Sequence, residues 1–373
     1  MVPQISWPQA LAWRMRRQLL VPAGDLSVDG VVGRLCGVQA QVASSAELAV
    51  RVRRQRSERG EVGRALADGA LIKTWAMRGT LHLLTPEDGG VFLSLMAAGR
   101  TWERPSWQRY FGMPLEAWTV LRPAVREALE GGPLTREELV AAIVVQPSLS
   151  HLGSGLREGW GTLLKPLAWQ GDLCFGPSQG SRVTFMRPGA ASARWAGIPE
   201  PDDAAEPAIL AYLGAYGPAT VDNFHAWLAR GWVGARRVRA WFESAGSRLA
   251  EVDVEGERRL VRAEDVDELA SSAPTTAVRL LPGFDQYVLG PGTDDSRIVP
   301  AARRAAVSKQ SGWIAPTVIV GGVVCGTWEL DGDDVRIAWF SEAGQLPVSA
   351  VDDEVGRLGL ILDRTLGTRI TRT

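Results

Sequence analysis

The hydrophobic pattern of the chain repeats one arrangement twice: an apolar helix, a tight turn and a second helix. The two turns are Gly132-Pro133-Leu134-Thr135 and Gly217-Pro218-Ala219-Thr220. The helices before them are predicted at about residues 115–129 and 208–216, and proline stops each one. Threonine can cap the next helix, and Thr135 stands at capping-box spacing from Glu138. The repetition predicts two copies of one module.

Each copy continues with a third helix and two strands joined by a turn. In the first copy the helix is predicted at about 155–170 and the strands at 172–176 and 182–186. The corresponding elements of the second copy are 235–244, 249–254 and 258–262. Three helices followed by a β-hairpin are typical of a winged-helix unit.

The N-terminal region follows the same plan with an extra helix. Its helices are predicted at about 9–20, 28–37, 46–54 and 62–68, before a β-rich run at 73–84. After about Val278 the pattern changes to strands, at 313–320 and 323–330 around the hairpin signal Gly321-Gly322, and it closes with a helix near 352–366.

Together these patterns predict an α+β fold with three tandem winged-helix units and a C-terminal α+β element that contains a β-hairpin. Linkers rich in Pro, Ala, Asp or Ser are expected at 187–207 and 271–276. The predicted parts are winged helix 1 at 1–112, winged helix 2 at 113–200, winged helix 3 at 201–276 and the C-terminal element at 277–373.

Composition narrows the possible functions. The 373 residues are 46% apolar, which is enough to bury the cores of two or three domains. No apolar run reaches membrane-spanning length and no export signal is visible, so we expect a cytoplasmic chain without membrane contact. With 41 basic and 42 acidic residues the chain has no overall basic field, which weighs weakly against DNA binding.

The common catalytic signatures are missing from the sequence. Three widely spaced cysteines and three scattered histidines disfavour a disulfide framework or a zinc site. We find no phosphate-binding loop, dinucleotide fingerprint or nucleophile elbow. We therefore expect neither a metal nor a cofactor.

The best candidate for chemistry is Gln39-Ala40-Gln41, which lies between two predicted helices. Ser44 and Glu47 have capping-box spacing and mark the start of the second helix, so the segment before it should be extended. Side chains two apart on an extended chain point the same way, and Gln39 and Gln41 could then converge on one water or one base edge. Two glutamines in a connection can equally face solvent, and spacing alone favours that simpler interpretation.

Several basic positions are candidates for DNA contact. The predicted helix after the glutamines carries Arg51 and Arg54, which could follow a phosphate track or belong to a solvated face. Arg78 and His82 share one side of a predicted strand, where a buried histidine is the simpler alternative. In the C-terminal part the candidates are Arg297, Arg303, Arg304 and Lys309, which could also be ordinary surface residues.

Three segments carry a family resemblance: Leu71 to Leu84 (LIKTWAMRGTLHLL), Leu280 to Gly290 (LLPGFDQYVLG) and Gly312 to Glu329 (GWIAPTVIVGGVVCGTWE). They resemble the winged-helix family of AlkZ-like DNA glycosylases, over essentially the whole chain. The resemblance implies three winged helices in a C-shaped molecule, with a catalytic Q-Φ-Q motif at the place of Gln39-Ala40-Gln41. Another branch carries Q-Φ-D, and glutamine at position 41 is similar to the Q-Φ-Q branch.

The resemblance also implies a substrate and a reaction. Members of the family remove bulky N7-alkylated purines, in some cases unhooking interstrand crosslinks in natural-product self-resistance. We therefore expect a monomeric, monofunctional glycosylase acting on double-stranded DNA, in which Gln41 positions water and Gln39 holds the deoxyribose. The main alternative is a noncatalytic winged-helix DNA-binding regulator, and a protein-interaction scaffold is a third.

Overall fold

Residues 2–373 are described by a computed structural model, and they form an α+β protein with two compact units. We call the first the terminal unit; it joins residues 2–62, Ile209–Trp227 and Ala245–Thr373. The middle unit joins Gly63–Ala208 and Leu228–Ser244. Each unit is thus assembled from separate stretches of chain. The four consecutive parts expected from the sequence, and the number of winged helices among them, stay predictions.

The helices account for most of the regular structure. Within residues 2–373 the eighteen α-helices are α1 (Trp7–Arg17), α2 (Val28–Arg34), α3 (Ala43–Arg51), α4 (Glu61–Ala67), α5 (Pro86–Ala97), α6 (Pro105–Phe111), α7 (Ala117–Ala128), α8 (Arg136–Val144), α9 (Gly153–Arg157), α10 (Lys165–Trp169), α11 (Pro188–Ala191), α12 (Pro201–Tyr216), α13 (Val221–Ala229), α14 (Ala235–Ala245), α15 (Val266–Ala270), α16 (Gln286–Leu289), α17 (Arg304–Val307) and α18 (Val348–Leu362). In that same range no helix combines the length and the apolar surface that a membrane crossing needs.

The strands are short. In residues 2–373 they are β1 (Gln4–Ile5), β2 (Val38–Gln39), β3 (Ile72–Trp75), β4 (Leu81–Leu84), β5 (Leu134–Thr135), β6 (Cys174–Gln179), β7 (Arg182–Met186), β8 (Leu249–Val254), β9 (Glu257–Arg262), β10 (Val278–Leu281), β11 (Thr317–Val320), β12 (Val323–Asp331), β13 (Asp334–Trp339) and β14 (Gly367–Arg372).

The terminal unit is built around two sheets. In the smaller sheet β1 runs parallel to β8, and β8 pairs with β9; α1 covers it through Trp7, Ala10 and Trp13. The larger sheet has the order β10-β11-β12-β13-β14, antiparallel except for the last pair. Its helix α18 is fastened by the buried Glu354, whose carboxylate accepts a hydrogen bond of 3.0 Å from the backbone of Leu280.

The middle unit contains a sheet in which β4, β3, β6, β7 and β5 follow one another as antiparallel neighbours. Its aromatic core includes Trp75, Phe175 and Phe185, with ring centroids 4.6 Å apart for the first pair and 5.1 Å for the second. Edge-to-face and tilted contacts of this kind add to the stabilisation from burial alone.

Much of the predicted local structure is confirmed. Thr135 and Glu138 form a reciprocal capping box, in which the Glu138 carboxylate accepts from the Thr135 amide at 2.8 Å. In the second copy Asn223 has the same relation to Thr220, whose hydroxyl accepts from the Asn223 amide at 3.1 Å. The Gly321-Gly322 hairpin is present, and both glycines have positive φ, at 58° and 92°, as a tight hairpin turn requires.

The predicted helix at 155–170 is wrong, because the chain forms α9, an irregular segment and then α10. Gly161 shows the physical reason. It has a φ of 66°, and a Cβ built there would lie 2.5 Å from the indole of Trp75. The helix therefore stops to let the backbone pass close to a core tryptophan.

The C-terminal strand β14 was also not predicted. It pairs in parallel with β13 after α18 ends at Leu362, four residues before the predicted helix boundary near residue 366. Its sequence GTRITR is mostly polar and solvent-facing, so it carries little hydrophobic signal.

Candidate active site

The direction of the segment that carries the two candidate glutamines is determined by the way α2 ends. Cys36 and Gly37 have positive φ values of 55° and 100°, and their amides donate back to the carbonyls of Gly33 and Val32. The hydroxyl of the buried Tyr216 donates to the carbonyl of Leu35. These bonds turn the chain out of the helix and into β2.

The two glutamines lie in different environments. Gln39 belongs to β2 and is only 6% exposed, and Ala40 beside it is buried too. Gln41 follows in a bend and is exposed to solvent. The expected extended conformation is therefore present at Gln39, whereas the convergence of the two side chains stays a prediction.

The expected capping box at Ser44 is wrong. Helix α3 begins at Ala43, and its N-cap is Val42, which provides no side-chain hydrogen bond. The Glu47 carboxylate instead accepts from the backbone amides of Gly60 at 2.7 Å and Val62 at 3.2 Å. Glu47 thus closes the loop that follows α3, and the solvent-facing first turn of α3 begins two residues after Gln41.

A buried ion pair fastens the end of α3 to the segment Leu280–Gly290. Arg53 donates to both carboxylate oxygens of Asp285, at 2.8 and 2.7 Å, and both side chains are almost fully buried. Asp285 also accepts from the amide of Tyr287 at 2.8 Å, which caps α16. Bidentate geometry with further hydrogen bonds is what a desolvated ion pair needs. The position of α3 therefore depends on residues far along the chain.

Two glycines explain part of this segment. A Cβ on Gly290 would lie 2.1 Å from the ring of Tyr216, the residue that holds the end of α2. A Cβ on Gly283 would lie 2.8 Å from the carbonyl oxygen of Ile314 and 3.7 Å from the hydroxyl of Ser45 in α3. The backbone therefore approaches its neighbours more closely than any side chain allows.

The basic residues predicted on the helix near the glutamines are tied inside the unit. Arg51 is buried, and its guanidinium donates to the carbonyl of Ile361 and to the hydroxyl of Ser57. Arg54 is partly buried, donating to the carbonyl of Leu26 at 2.9 Å and pairing with Glu61. The prediction that Arg51 faces a phosphate track is therefore corrected, because its charged group is used within the fold.

His82 is likewise not on an accessible surface. It is fully buried on β4, and its Nδ1 lies 3.0 Å from the carbonyl oxygen of Thr80. Burial, with a smaller effect of the Arg78 charge, lowers the pKa of His82 to about 3, so the ring is neutral near pH 7. The expected DNA contact by His82 is corrected on this ground. Arg78 is also buried and has a left-handed φ of 58°.

The C-terminal basic candidates are more accessible, but most carry a carboxylate partner. Arg297 pairs with Glu257 at 2.6 Å, and its guanidinium lies 5.2 Å from the Trp7 ring centroid. Arg303 pairs with Glu342, and Arg304 pairs with Asp294. Lys309 is exposed and makes no ion pair with any residue in the described range 2–373. Of the four, Lys309 is therefore the residue whose positive charge is most available to a phosphate.

The structure adds residues that sequence reasoning gave no role. Tyr216, Asp285 and Phe284 support the glutamine segment or the helix after it. Asp285 and Phe284 lie in one of the three segments that carry the family resemblance. The sequence of that segment does not indicate that Arg53 is the partner of Asp285. Nothing in the local pattern around Tyr216 marks its contact with α2.

The described residues 2–373 contain no group of three His, Cys, Asp or Glu side chains arranged to hold a metal ion. All three cysteines are buried and reduced. Burial raises the pKa of the Cys174 thiol to about 12 and that of Cys325 to about 11, so neither is a ready nucleophile.

Comparison with known proteins gives one consistent family. The model of the family described as DNA glycosylase AlkZ-like matches residues 32–360. The chain is 48% identical over 354 residues to an interstrand DNA cross-link repair glycosylase of Streptomyces sahachiroi, covering 95% of both chains. The fold is similar to the solved structure of Streptomyces sahachiroi DNA glycosylase AlkZ, with a TM-score of 0.96, 46% identity, and coverage of 99% of this chain and 100% of that one.

The matched region contains Gln39-Ala40-Gln41 and all three segments that carried the resemblance. The family inferred from those segments, the α+β class and the expectation of an enzyme are thereby confirmed. From residue pattern, fold and relatives together, the chain belongs to the AlkZ-like family of DNA glycosylases.

Proposed function

We propose that this glycosylase removes bulky N7-alkylated purines from double-stranded DNA, with Gln41 positioning the attacking water and the buried Gln39 assisting it by holding the segment that carries Gln41. The observation that carries the proposal is the contrast in exposure: Gln39 is buried in β2, and Gln41 stands exposed at the start of α3. One amide is thus fixed in the protein while the next can meet a substrate. The name of the Streptomyces sahachiroi relative, an interstrand DNA cross-link repair glycosylase, supports action on interstrand crosslinks, which we propose as a second substrate class.

The chemistry requires little from the protein. Alkylation at N7 gives the purine a positive charge, so the bond between C1′ and N9 is already weak. When it breaks, its electron pair moves to N9 and neutralises the purine, while a water oxygen bonds to C1′ and releases a proton to solvent. The enzyme must orient that water and stabilise the cationic sugar, and a neutral glutamine carbonyl can do the first.

The proposal extends to the fold of the modules and to the oligomeric state of the protein. We propose that the helix, turn and hairpin modules are winged helices, three in all, and that the protein acts as a cytoplasmic, cofactor-free monomer. The absence of lysine near Gln39-Ala40-Gln41 in the sequence supports a monofunctional enzyme without Schiff-base chemistry. The more accessible basic candidates Arg297, Arg303, Arg304 and Lys309 stay proposed DNA contacts. Arg54 is partly buried and Arg78 is buried, so the geometry supports these two proposed contacts less.

The test is base release from duplex DNA containing one N7-alkylguanine, measured as free base by mass spectrometry and as abasic sites by strand cleavage. Gln41→Ala should lower the single-turnover rate on the order of 100-fold, since it removes water positioning but leaves the fold intact. Gln55→Ala is the matched control, because Gln55 is another exposed glutamine of the terminal unit, after α3.

Two outcomes would contradict the proposal. Binding of the alkylated duplex by the wild type without base release would favour the noncatalytic regulator. Base release that persists unchanged in the Gln39→Ala, Gln41→Ala double variant would remove the two glutamines from the mechanism. A duplex joined by an interstrand crosslink, assayed on a denaturing gel, tests the second substrate class in the same way.

A further inference from the structure

A short loop presents a tryptophan to solvent close to the first turn of α3. Trp313 is 49% exposed, and its ring contacts that of Phe284 edge to face with 5.0 Å between centroids. The residue before Phe284 is Gly283, whose missing Cβ would lie 3.7 Å from the hydroxyl of Ser45 in α3. Phe284 also belongs to the core cluster against which Leu48 of α3 packs, so Trp313 contacts a residue that supports the helix that Gln41 precedes.

The loop holds Trp313 firmly although its ring is exposed. The amide of Lys309 donates to the carbonyl of Trp313 at 2.8 Å, and Ser308 pairs with Ile314 in a β-bridge. Ile314 is buried in the core cluster of the terminal unit. Because both ends of the loop are anchored, the indole is presented in a preorganised position, which lowers the entropy lost on binding.

Phe284 supports the indole from a strained backbone. Its φ is 62°, a left-handed conformation that bulky residues rarely adopt, and its side chain is buried. The neighbouring Asp285 is fixed by Arg53, so the surrounding structure determines this conformation. Strain of this kind persists where the precise placement of a side chain is needed.

Within the terminal unit, exposure distinguishes Trp313 from the other aromatic residues. In the described range 2–373, the aromatic side chains with more than a third of their surface exposed are Tyr110, Trp160 and Trp313. Tyr110 and Trp160 lie in the middle unit, and Trp313 lies in the terminal unit with Gln41. The exposed ammonium of Lys309 is in the same loop, and it can attract a phosphate beside a stacked base.

We propose that Trp313 is a positioning residue that stacks on the base next to the damaged purine and opens the duplex there. This inference rests on the proposed function, because it needs a duplex held against Gln41. Every base has a face on which an indole can stack, so the contact tolerates any neighbouring sequence. An apolar wedge between base steps partially unstacks them, which would expose the sugar of the lesion to water.

The experiment uses the full chain and a duplex with one bulky N7-alkylguanine and 2-aminopurine as its 5′ or 3′ neighbour. Wild-type protein should change the 2-aminopurine fluorescence at one of these positions, because the probe would then stack on the indole of Trp313 in place of a neighbouring base. Trp313→Ala should abolish that change and lower the single-turnover rate of base release by roughly 5- to 100-fold. Trp313→Phe should restore most of both signals, since it keeps an aromatic face.

Trp160→Ala is the matched control and should behave as wild type, because it removes an exposed tryptophan of the middle unit. Thermal melting of each variant separates loss of folding from loss of stacking, and Phe284→Leu provides a second, indirect variant with an intermediate defect.

Base release by wild type and Trp313→Ala at equal rates, with equal fluorescence changes, would overturn the inference alone. Failure of the wild type to release base would overturn the proposed function instead.

Discussion

Two glycines of the terminal unit have opposite surroundings, so replacing each by alanine should have opposite effects. A Cβ on Gly290 would overlap the Tyr216 ring at 2.1 Å, and we expect Gly290→Ala to destabilise the protein by about 2 kcal/mol or more. Gly356 lies inside α18 with open space around it, and Gly356→Ala should stabilise by about 0.5–1 kcal/mol. Denaturant unfolding of both variants measures the two changes; a neutral Gly290→Ala would contradict the close contact.

His82 should make stability depend on pH in a defined direction. Burial lowers its pKa to about 3 from an ordinary value of 6.5, so between these values the unfolded chain binds a proton that the folded chain excludes. The stabilisation is therefore complete above pH 6.5 and is lost as the pH falls towards 3. Between pH 7 and 5.5 this one group should lower the free energy of unfolding by about 1 kcal/mol.

The measurement is denaturant unfolding at both pH values for wild type, His82→Gln and His151→Gln. His82→Gln should lose this part of the pH dependence, whatever its effect on stability at pH 7. His151 is exposed, so His151→Gln should keep the wild-type dependence. An identical pH dependence in wild type and His82→Gln would show that the ring is protonated in the folded state.

Residue identity indicates a role only where that role depends on local chemistry. Gln39-Ala40-Gln41 is a candidate because of its place between helices, and the role that the family resemblance implies for it stays a proposal. The types of Arg51 and His82 suit a DNA surface, but both residues are buried, and Arg51 donates to the carbonyl of Ile361, 310 positions away. Arg53 also has a distant partner, Asp285, which is 232 positions away. Tertiary contacts of this kind leave no local pattern.

At the level of elements, two helix starts that look alike in sequence should respond differently to the loss of a hydroxyl. The Thr135 hydroxyl accepts from the amide of Glu138 at 3.3 Å at the start of α8, and Thr135→Ala should destabilise by about 1 kcal/mol. Ser44 lies within α3 and does not occupy its N-cap, so Ser44→Ala should change stability by less than about 0.5 kcal/mol. Thermal melts of both variants check this, and equal losses would contradict the assigned start of α3.

Elements were predictable where periodicity and turn chemistry agreed. The capping box of α8, the strands β6 to β9 and the hairpin at Gly321-Gly322 all have such signals, and all are present. The helix at 155–170 failed because Gly161 must clear Trp75, a contact between different parts of the middle unit. The close approach of the Gly161 backbone to Trp75 prevents the helix that the local sequence pattern favours.

For the whole molecule, the pattern of ion pairs predicts how DNA binding should respond to salt. The net charge is −1, and three of the four proposed DNA contacts in the C-terminal part, Arg297, Arg303 and Arg304, already pair with carboxylates, so few of these proposed contacts are ready to neutralise a phosphate. Each neutralised phosphate contributes about −0.9 to the slope of log Kobs against log salt concentration, and we expect a slope of about −2 to −4. Fluorescence anisotropy with an undamaged duplex between 50 and 200 mM salt measures it; a slope near −8 would contradict the prediction.

The division of the chain was the least predictable feature at this scale. The sequence pattern predicts successive modules, since the helix and hairpin signals recur along the chain. The two compact units are assembled from three stretches and two stretches of chain, which no local pattern indicates. Which stretches join is decided by contacts such as that of Tyr216 with Leu35 and of Arg53 with Asp285. These pairs are invisible until the chain is folded.

The construction of the terminal unit from both ends of the chain has a consequence for biosynthesis. The stretch with the two glutamines leaves the ribosome first, yet Asp285, Ile314 and the sheet strands that complete its core are translated more than 200 residues later. At about 5–20 residues per second that interval lasts on the order of ten to fifty seconds. Throughout it the nascent N-terminal segment must stay unassembled, so chaperone supply and translation speed should govern the yield of active enzyme more strongly than for a protein whose domains are finished one after another.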